Sequence, residues 1–310
     1  MTSLPRSHTR RNRRASALGG SRWHVLPYAM ILPLMILVIG LSVIPAAASL
    51  VGSFYRNSAL SGDHAFVGLR NYTTALEQST AITTLTNTMG YMLIGTVGCV
   101  AVGTVFALFL HHSERKWLRG AVFGIVIAPW AVPPVVGAVV WRLIYDPTVG
   151  VLNSFLHSIG IIDSYRLWVG LHRALSVSLI ELVQIWQLAP LAGLIIFAAM
   201  QGLPKDVYEA AAIDGAGSWR TFFTITLQLL RPAMAIAAIQ SAILTFNIFD
   251  QVYIMNGYAT VGNSLMEQVY NVAFTQEDFG QGYALSIIAT LGTAIVSLVI
   301  LGLVYRRVEH

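Results

Sequence analysis

Six long apolar runs, nearly free of charge, recur along this chain at short intervals. They cover about 26–54, 82–110, 120–141, 174–200, 233–254 and 281–305. Each reaches the roughly 20 residues that a helix needs to cross a bilayer. Within hydrocarbon every backbone N–H and C=O must be satisfied inside the segment, so helices are the expected form. The connecting loops are too short to hold a separate soluble domain. The expected architecture is an all-α membrane protein with six transmembrane helices. Composition agrees, with 55% apolar and 11% charged residues and a mean hydropathy of +0.66, outside the range of ordinary soluble domains.

A net charge of +5 would point to nucleic acid in a soluble protein, but its distribution points to a membrane instead. With six spans, one side carries Arg6, Arg10, Arg11, Arg13, Arg14, Arg22, Arg115, Lys116, Arg119, Lys205, Arg220, Arg231, Arg306 and Arg307. The other carries Arg56, Arg70, Arg142, Arg166 and Arg173. Fourteen against five predicts cytoplasmic N- and C-termini and a cytoplasmic 204–232 segment by the positive-inside rule. Residues 1–24 read as a basic cytoplasmic tail that touches lipid headgroups, and 25–310 as the transmembrane domain. The first apolar run is too long for a signal peptide. Cys99 lies inside the second run, so it supports neither a disulfide nor a cysteine metal site.

Span 3 contains Pro129, Pro133 and Pro134, which predicts a kink whose freed carbonyls are satisfied inside the bundle. Gly120 with Gly124, and Gly95 with Cys99, have the small-residue spacing that permits close helix packing. In the outer loops, FVGLRNYTTAL predicts a short amphipathic segment, and Val151–Ile159 a short helix.

The segment Pro204–Pro232, PKDVYEAAAIDGAGSWRTFFTITLQLLRP, is polar, alanine-rich and set between two apolar runs. Pro204 suits the first turn of a helix, and alanines make that helix strong and thin. Gly215 allows a tight reversal, and Gly217 or Ser218 caps the next helix. Trp219, Phe222 and Phe223 then form an apolar stripe. Two readings fit: an amphipathic connector, or a helix pair that inserts into a groove of another protein.

The residues EAAAIDGAGSWRTFFTITLQLLRP resemble the EAA motif of bacterial ABC importer permeases, with Asp214-Gly215-Ala216 and Pro232 matching the sugar-importer version. Gln228 stands where that family has proline. FVGLRNY (Phe66–Tyr72), GVLNSFL (Gly150–Leu156) and FNIFDQVYIM (Phe246–Met255) are similar to the first permease subunit of maltose- and glycerol-3-phosphate-type systems. The resemblance implies a type I ABC importer permease fold in the bacterial cytoplasmic (inner) membrane. It further implies a second permease subunit forming a heterodimer, two ATPase subunits and an extracytoplasmic substrate-binding protein. Glu209, Ala210, Ala211, Asp214, Gly215 and Ala216 would couple the chain to the ATPase, with Glu209 the polar contact. ATP and Mg would be bound by the ATPase subunits. This chain has no G-x-x-x-x-G-K-[ST] loop, and neither Lys116 nor Lys205 has the required glycines ahead of it. No cofactor of its own is expected.

Within the spans, Glu181, Gln184 and Gln187 recur every three residues beside Trp186, and span 5 carries Asn247, Asp250 and Gln251. Ionisable groups at such depth usually face a cavity or a partner. Amides and carboxylates bond hydroxyls, and aromatic faces stack on sugar rings. One reading is a substrate path for a sugar or oligosaccharide. The other is interhelical hydrogen bonding, or a pairing with Arg142. Glycerol-3-phosphate or a related diester remains an alternative cargo. Rival classes are an intramembrane enzyme that uses Glu181 and Asp250 on a lipid-linked substrate, and a membrane scaffold. Adjacent His111 and His112 point to different sides of a helix and predict no metal site. No G-x-S-x-G or H-E-x-x-H pattern occurs.

Overall fold

The computed structural model describes residues 22–58, 64–78, 80–257, 259 and 261–305. Most of the 1–24 tail, Arg306 and Arg307 lie outside the described residues. Among them the structure is helical, with only isolated β-bridges at Tyr55–Phe66 and Ser58–Asp278.

The first unit is one long apolar rod made of α1 (Arg22–Val38), a π turn (Ile39–Val43) and the body of α2 (Ile44–Gly52). Its stretch Tyr28–Gly52 is long and apolar enough to cross a membrane. The π turn immediately precedes Pro45, whose missing N–H removes one helical hydrogen bond.

The second unit starts at Gly52 and opens with a surface helix, α3 (Arg70–Glu77). Its buried Asn71 donates to the carbonyls of Ser53 (2.8 Å) and Tyr55 (2.9 Å), which ties the helix to the chain before it. Then come α4 (Ala81–His112), α5 (Lys116–Ala131), α6 (Pro134–Ile144), α7 (Val151–Ser158) and α8 (Arg173–Met200). The 204–232 segment holds α9 (Lys205–Ile213), α10 (Ser218–Thr221), a π turn (Phe222–Thr226) and α11 (Leu227–Leu229). The chain continues as α12 (Arg231–Phe246), α13 (Asp250–Asn256), α14 (Leu265–Tyr270), a third π turn (Asn271–Thr275) and α15 (Phe279–Tyr305).

The centre is a three-helix packing of α4, α8 and α12, with α15 against α12 and α5 against α8. At the α4–α8 crossing the backbones touch. A Cβ on Gly103 would lie 2.7 Å from the Gly193 nitrogen and 3.0 Å from the Ala189 carbonyl, the close approach that small residues permit. Gly95 serves another purpose, since its missing side chain makes room for Glu181. Gly120 and Gly124 meet nothing within 4 Å, so the packing role expected from their spacing is not used within this chain. Three clusters fill the interior: one around Tyr91, Ile180 and Val252, one around Cys99, Ile196 and Leu230, and one around Phe246, Val272 and Leu285. Cys99 is a buried free thiol.

Among the described residues four helices pass as unbroken spans, and there are up to six if each bent helix pair counts as one. Two expected spans therefore change form. Span 3 breaks at Val132–Pro133, and α5 and α6 meet at 100°. Pro133 and Pro134 lack the N–H groups that would carry the helix through. Span 5 ends at Phe246, eight residues before the expected 254, and α12 turns 69° from the Ser218–Leu229 stretch before it. No proline causes the break after Phe246. There the Asn247 side-chain amide (2.7 Å) shares the Ile243 carbonyl with the Asn247 backbone N–H (3.3 Å), and the Ile248 N–H turns to the Thr245 carbonyl (3.4 Å), where the ladder ends.

Candidate functional site

The two broken spans meet beside α8, where α6 packs directly against α13. Between them lies a pocket of about 330 Å³ lined by Trp130, Val132, Pro134, Gln184, Gln187, Leu188, Leu244, Asn247, Ile248, Phe249, Asp250 and Gln251. A broken helix leaves carbonyls without intrahelical donors, and two glutamines of α8 answer them. The Gln184 Nε2 donates to the Leu244 carbonyl (3.1 Å), and the Gln187 Nε2 reaches the Val132 carbonyl (3.4 Å). Gln187 also accepts from the Gln251 Nε2 at 2.8 Å, joining α8 to α13. Asn247 donates a second time, to Thr293 on α15 (3.2 Å). The Gln184 Oε1 is buried without a hydrogen-bond partner, an open acceptor on a residue that lines the pocket.

Of the seven path candidates from the sequence, Gln184, Gln187, Asn247, Asp250 and Gln251 meet in this pocket. Trp186 turns to the other flank of α8 and packs edge-on against Trp141, with ring centroids 5.8 Å apart. Glu181 is fully buried at the junction of α4 and α12. Its carboxylate fills the space over Gly95 next to Thr245, and neither oxygen has a hydrogen-bond partner. The pairing of Glu181 with Arg142 is thus not formed. Nor do Glu181 and Asp250 share a cavity, which removes the geometric basis for a two-carboxylate enzyme. Sequence reasoning missed Val132, Phe249 and Trp130 as lining. The double proline was the signal that marked the break in span 3.

A second, larger cleft of about 810 Å³ opens at the end of the bundle distal to 204–232. It is lined by Arg142, Tyr145, Asp146, Asn256, Glu267 and Asn271, among others. The Asp146 carboxyl is lowered from its ordinary value, first by the Thr148 hydroxyl (2.6 Å) and then by the Val149 and Thr148 N–H groups. Burial pushes Glu267 up to about 7, partly offset by the Ser264 backbone bond.

At the opposite end, α9 closes with a Schellman turn. The Gly215 N–H donates to the Ala212 carbonyl (3.1 Å) and the Ala216 N–H to the Ala211 carbonyl (2.9 Å). Gly215 supplies the left-handed φ of +72° that this turn requires. Pro204 sits at the N-cap, so α9 begins one residue later than expected, and Gly217 caps α10. Ala211 is buried inside the segment, while Glu209, Ala210, Asp214 and Gly215 are exposed and Ala216 is half-buried. The Tyr208 hydroxyl donates to Thr226 (3.1 Å), pinning α9 to the π turn. Ile213 (86% exposed) and Trp219 (78%) stand out from this surface, and Trp219 stacks on Phe223. Among the described residues no group of three metal-binding side chains occurs. His111 and His112 only meet edge-to-face.

The family described as "Binding-protein-dependent transport system inner membrane component" matches residues 100–310. The chain is 33% identical over 268 residues to the trehalose/maltose transport system permease protein of Thermococcus litoralis, covering 85% of this chain and 88% of that one. It is 30% identical over 301 residues to the arabinooligosaccharides transport system permease protein of Halalkalibacterium halodurans, covering 94% and 91%. Its fold matches a chain of a bacterial ABC transporter involved in the import of the acidic polysaccharide alginate. There the TM-score is 0.79 at 20% identity, covering 91% of this chain and 95% of the other. With a match that takes in two of the three central helices, α8 and α12, together with both breaks, and with relatives this similar over nearly its whole length, the chain belongs to the family of binding-protein-dependent transport system inner membrane components.

Proposed function

We propose that this chain forms the translocation path for a sugar or oligosaccharide and is driven by a partner ATPase docked on the 204–232 segment. The observation that carries the reading is the pocket where two helix breaks meet. Four amides (Gln184, Gln187, Asn247 and Gln251) and the Asp250 carboxylate line it, and the buried Gln184 Oε1 has no hydrogen-bond partner. Such groups recognise hydroxyls without demanding charge. The names of the two relatives, which specify trehalose/maltose and arabinooligosaccharides, support a carbohydrate. No lysine or arginine lines this pocket, so a glycerol phosphate would find no counter-charge from this chain.

The drive enters at the other end. The exposed Glu209, Ala210, Asp214 and Gly215, with Ile213 and Trp219, make a rigid knob suited to a groove of the ATPase, which would hold the ATP and Mg. The excess of arginine and lysine on that side supports cytoplasmic termini and a cytoplasmic knob. A second permease subunit would close the path, and an extracytoplasmic binding protein would deliver the cargo.

The test is reconstitution of the complex in proteoliposomes with its binding protein and labelled sugar. Asp250→Ala together with Asn247→Ala should suppress uptake while the complex still assembles. Glu209→Lys should abolish ATP hydrolysis stimulated by the loaded binding protein. Undiminished uptake by the pocket variant would remove these residues from the path.

A further inference from the structure

A row of aromatic rings leads away from the pocket. Phe249 lines the pocket and stacks on Tyr253 one turn along α13, with centroids 5.4 Å apart. Tyr253 meets Tyr270 of α14 at 5.1 Å, Tyr270 meets Phe274 at 5.2 Å, and Phe274 meets Phe279 at 6.1 Å. These rings are not a sealed core, since Tyr253 is 43% exposed and Phe274 64%. The backbone is shaped to present them. Phe274 sits in a π turn, a form frequent at functional sites. Glu277, just before Phe279, holds the left-handed φ of 56°, a conformation disfavoured for a side-chain-bearing residue.

The row runs beside the distal cleft. Tyr253 is part of that cleft's wall, as are Asn271 and Thr275, the sequence neighbours of Tyr270 and Phe274. Two polar atoms of cleft residues, the Tyr145 hydroxyl and the Asn256 Oδ1, are buried without a hydrogen-bond partner. Buried polar groups left open in this way call for a ligand or ordered water. Ring faces beside open donors and acceptors match the two sides of a sugar, its C–H face and its hydroxyls. The volume of about 810 Å³ falls within the range of small-molecule sites. Phe249 lines the pocket and Tyr253 the cleft, so this stacked pair stands between the two cavities.

We infer that the distal cleft is an entry subsite for carbohydrate, in which Tyr253 of the cleft wall, stacked on Phe249 of the pocket and backed by Tyr270, hands sugar units down to the pocket. This inference rests on the carbohydrate reading above. Its test compares labelled maltose and maltotetraose in proteoliposomes that hold the whole complex and its binding protein. Tyr253→Leu should slow maltotetraose uptake about fivefold, the fold-change equivalent to about 1 kcal/mol for one aromatic contact, whereas Phe274→Leu, outside the cleft wall, should leave it unchanged. Maltose, which spans fewer rings, should be slowed less. ATP hydrolysis stimulated by the binding protein should persist, and Tyr253→Phe, which keeps the ring, should restore the rate. Equal uptake by wild type and Tyr253→Leu overturns the subsite and leaves the pocket reading intact. Loss of the second permease from the purified variants also overturns it, assigning the rings to a subunit interface. A binding protein that takes up no sugar from a panel of maltose, trehalose and arabino-oligosaccharides removes the carbohydrate reading and the subsite with it.

Discussion

The hydrogen bond between Gln187 and Gln251 offers the sharpest test of how the two helix breaks are held together. Both side chains are buried, at 4% and 5% exposure, and the Gln251 Nε2 donates to the Gln187 Oε1 at 2.8 Å. Gln251→Leu keeps the volume close to the original and leaves that acceptor orphaned, at a cost of about 1–3 kcal/mol. Gln187→Leu orphans the Gln251 donor and also frees the Val132 carbonyl, but that contact, at 3.4 Å, is long and adds little. Each single variant should therefore lose a similar amount. In the double variant both polar ends are gone, and replacing both partners by apolar groups of similar shape is nearly neutral. The double variant should then be more stable than the sum of the singles predicts, by about 1–2 kcal/mol. At roughly 2–4 °C per kcal/mol for a chain of this size, thermal unfolding of the purified complex in detergent resolves the difference. Strictly additive shifts would refute the claim that the two amides act as a unit bridging α8 and α13. Uptake should fall in all three variants, because each removes hydrogen-bonding capacity from the pocket.

Three further outcomes follow from local geometry. Gly103→Ala drives a methyl group into the backbone of α8, 2.7 Å from the Gly193 nitrogen, and should cost about 1–3 kcal/mol; Gly124→Ala meets open space and should leave the melting temperature unchanged or slightly raised. Gly215→Ala has room for its methyl group but must hold φ at +72°, a strain of about 1 kcal/mol, which should appear as faster amide exchange over 211–216 and weaker ATPase coupling in an assembled complex. Glu267 has its carboxyl raised by burial from the ordinary 4.5 to about 7, so between those values the folded state binds the proton more tightly than the unfolded one. Its stabilising contribution is full below 4.5 and is lost as pH rises through 7, and Glu267→Gln should flatten that part of the pH–melting profile.

The helices were legible because a bilayer permits little else, and α4, α8 and α15 appear close to where apolar length alone puts them. The break in span 3 was legible in its prolines. The break in span 5 was not, because there an asparagine side chain shares a backbone carbonyl, and asparagine inside an apolar run has several other uses. The motif residues divide the same way. Asn153, in the GVLNSFL stretch, donates to the Asp146 and Arg166 carbonyls and accepts from the Arg166 N–H and the Trp168 indole. It is a clamp for the 146–173 loop, and its place in a motif does not make it a ligand. Spacing put Glu181, Gln184 and Gln187 on one flank of α8, yet Glu181 points at α4 and α12 while the glutamines point at the breaks. A helix turns 300° over three residues, so three residues at that spacing, two such steps, fan out across about 120° and need not share one neighbour. The aromatic row escaped the sequence entirely, since its members come from α13, α14, a π turn and α15.

The 204–232 segment lies between the two helices that carry most of the pocket's polar wall. α8 bears Gln184 and Gln187 and runs without interruption to Met200, just before α9. α12 begins directly after α11 and ends at the break that exposes Asn247. The Gln184 amide bonds one to the other at the Leu244 carbonyl. A packed helix moves as a body, because the interior has no slack to absorb a shift. A displacement of α9 relative to α11 that carries through the bend at Leu230 would change the angle between α8 and α12, and the hydrogen bond that spans those two helices is that of Gln184. The breaks let this happen without unravelling a span. With its bends at Val132–Pro133 and Asn247–Phe249, each broken helix can pivot at carbonyls already bonded to side chains, so moving them exchanges one side-chain hydrogen bond for another and leaves the ladders of α8 and α12 whole. Two unbroken spans in the same positions would hold a comparable pocket, but opening it would require bending continuous helices.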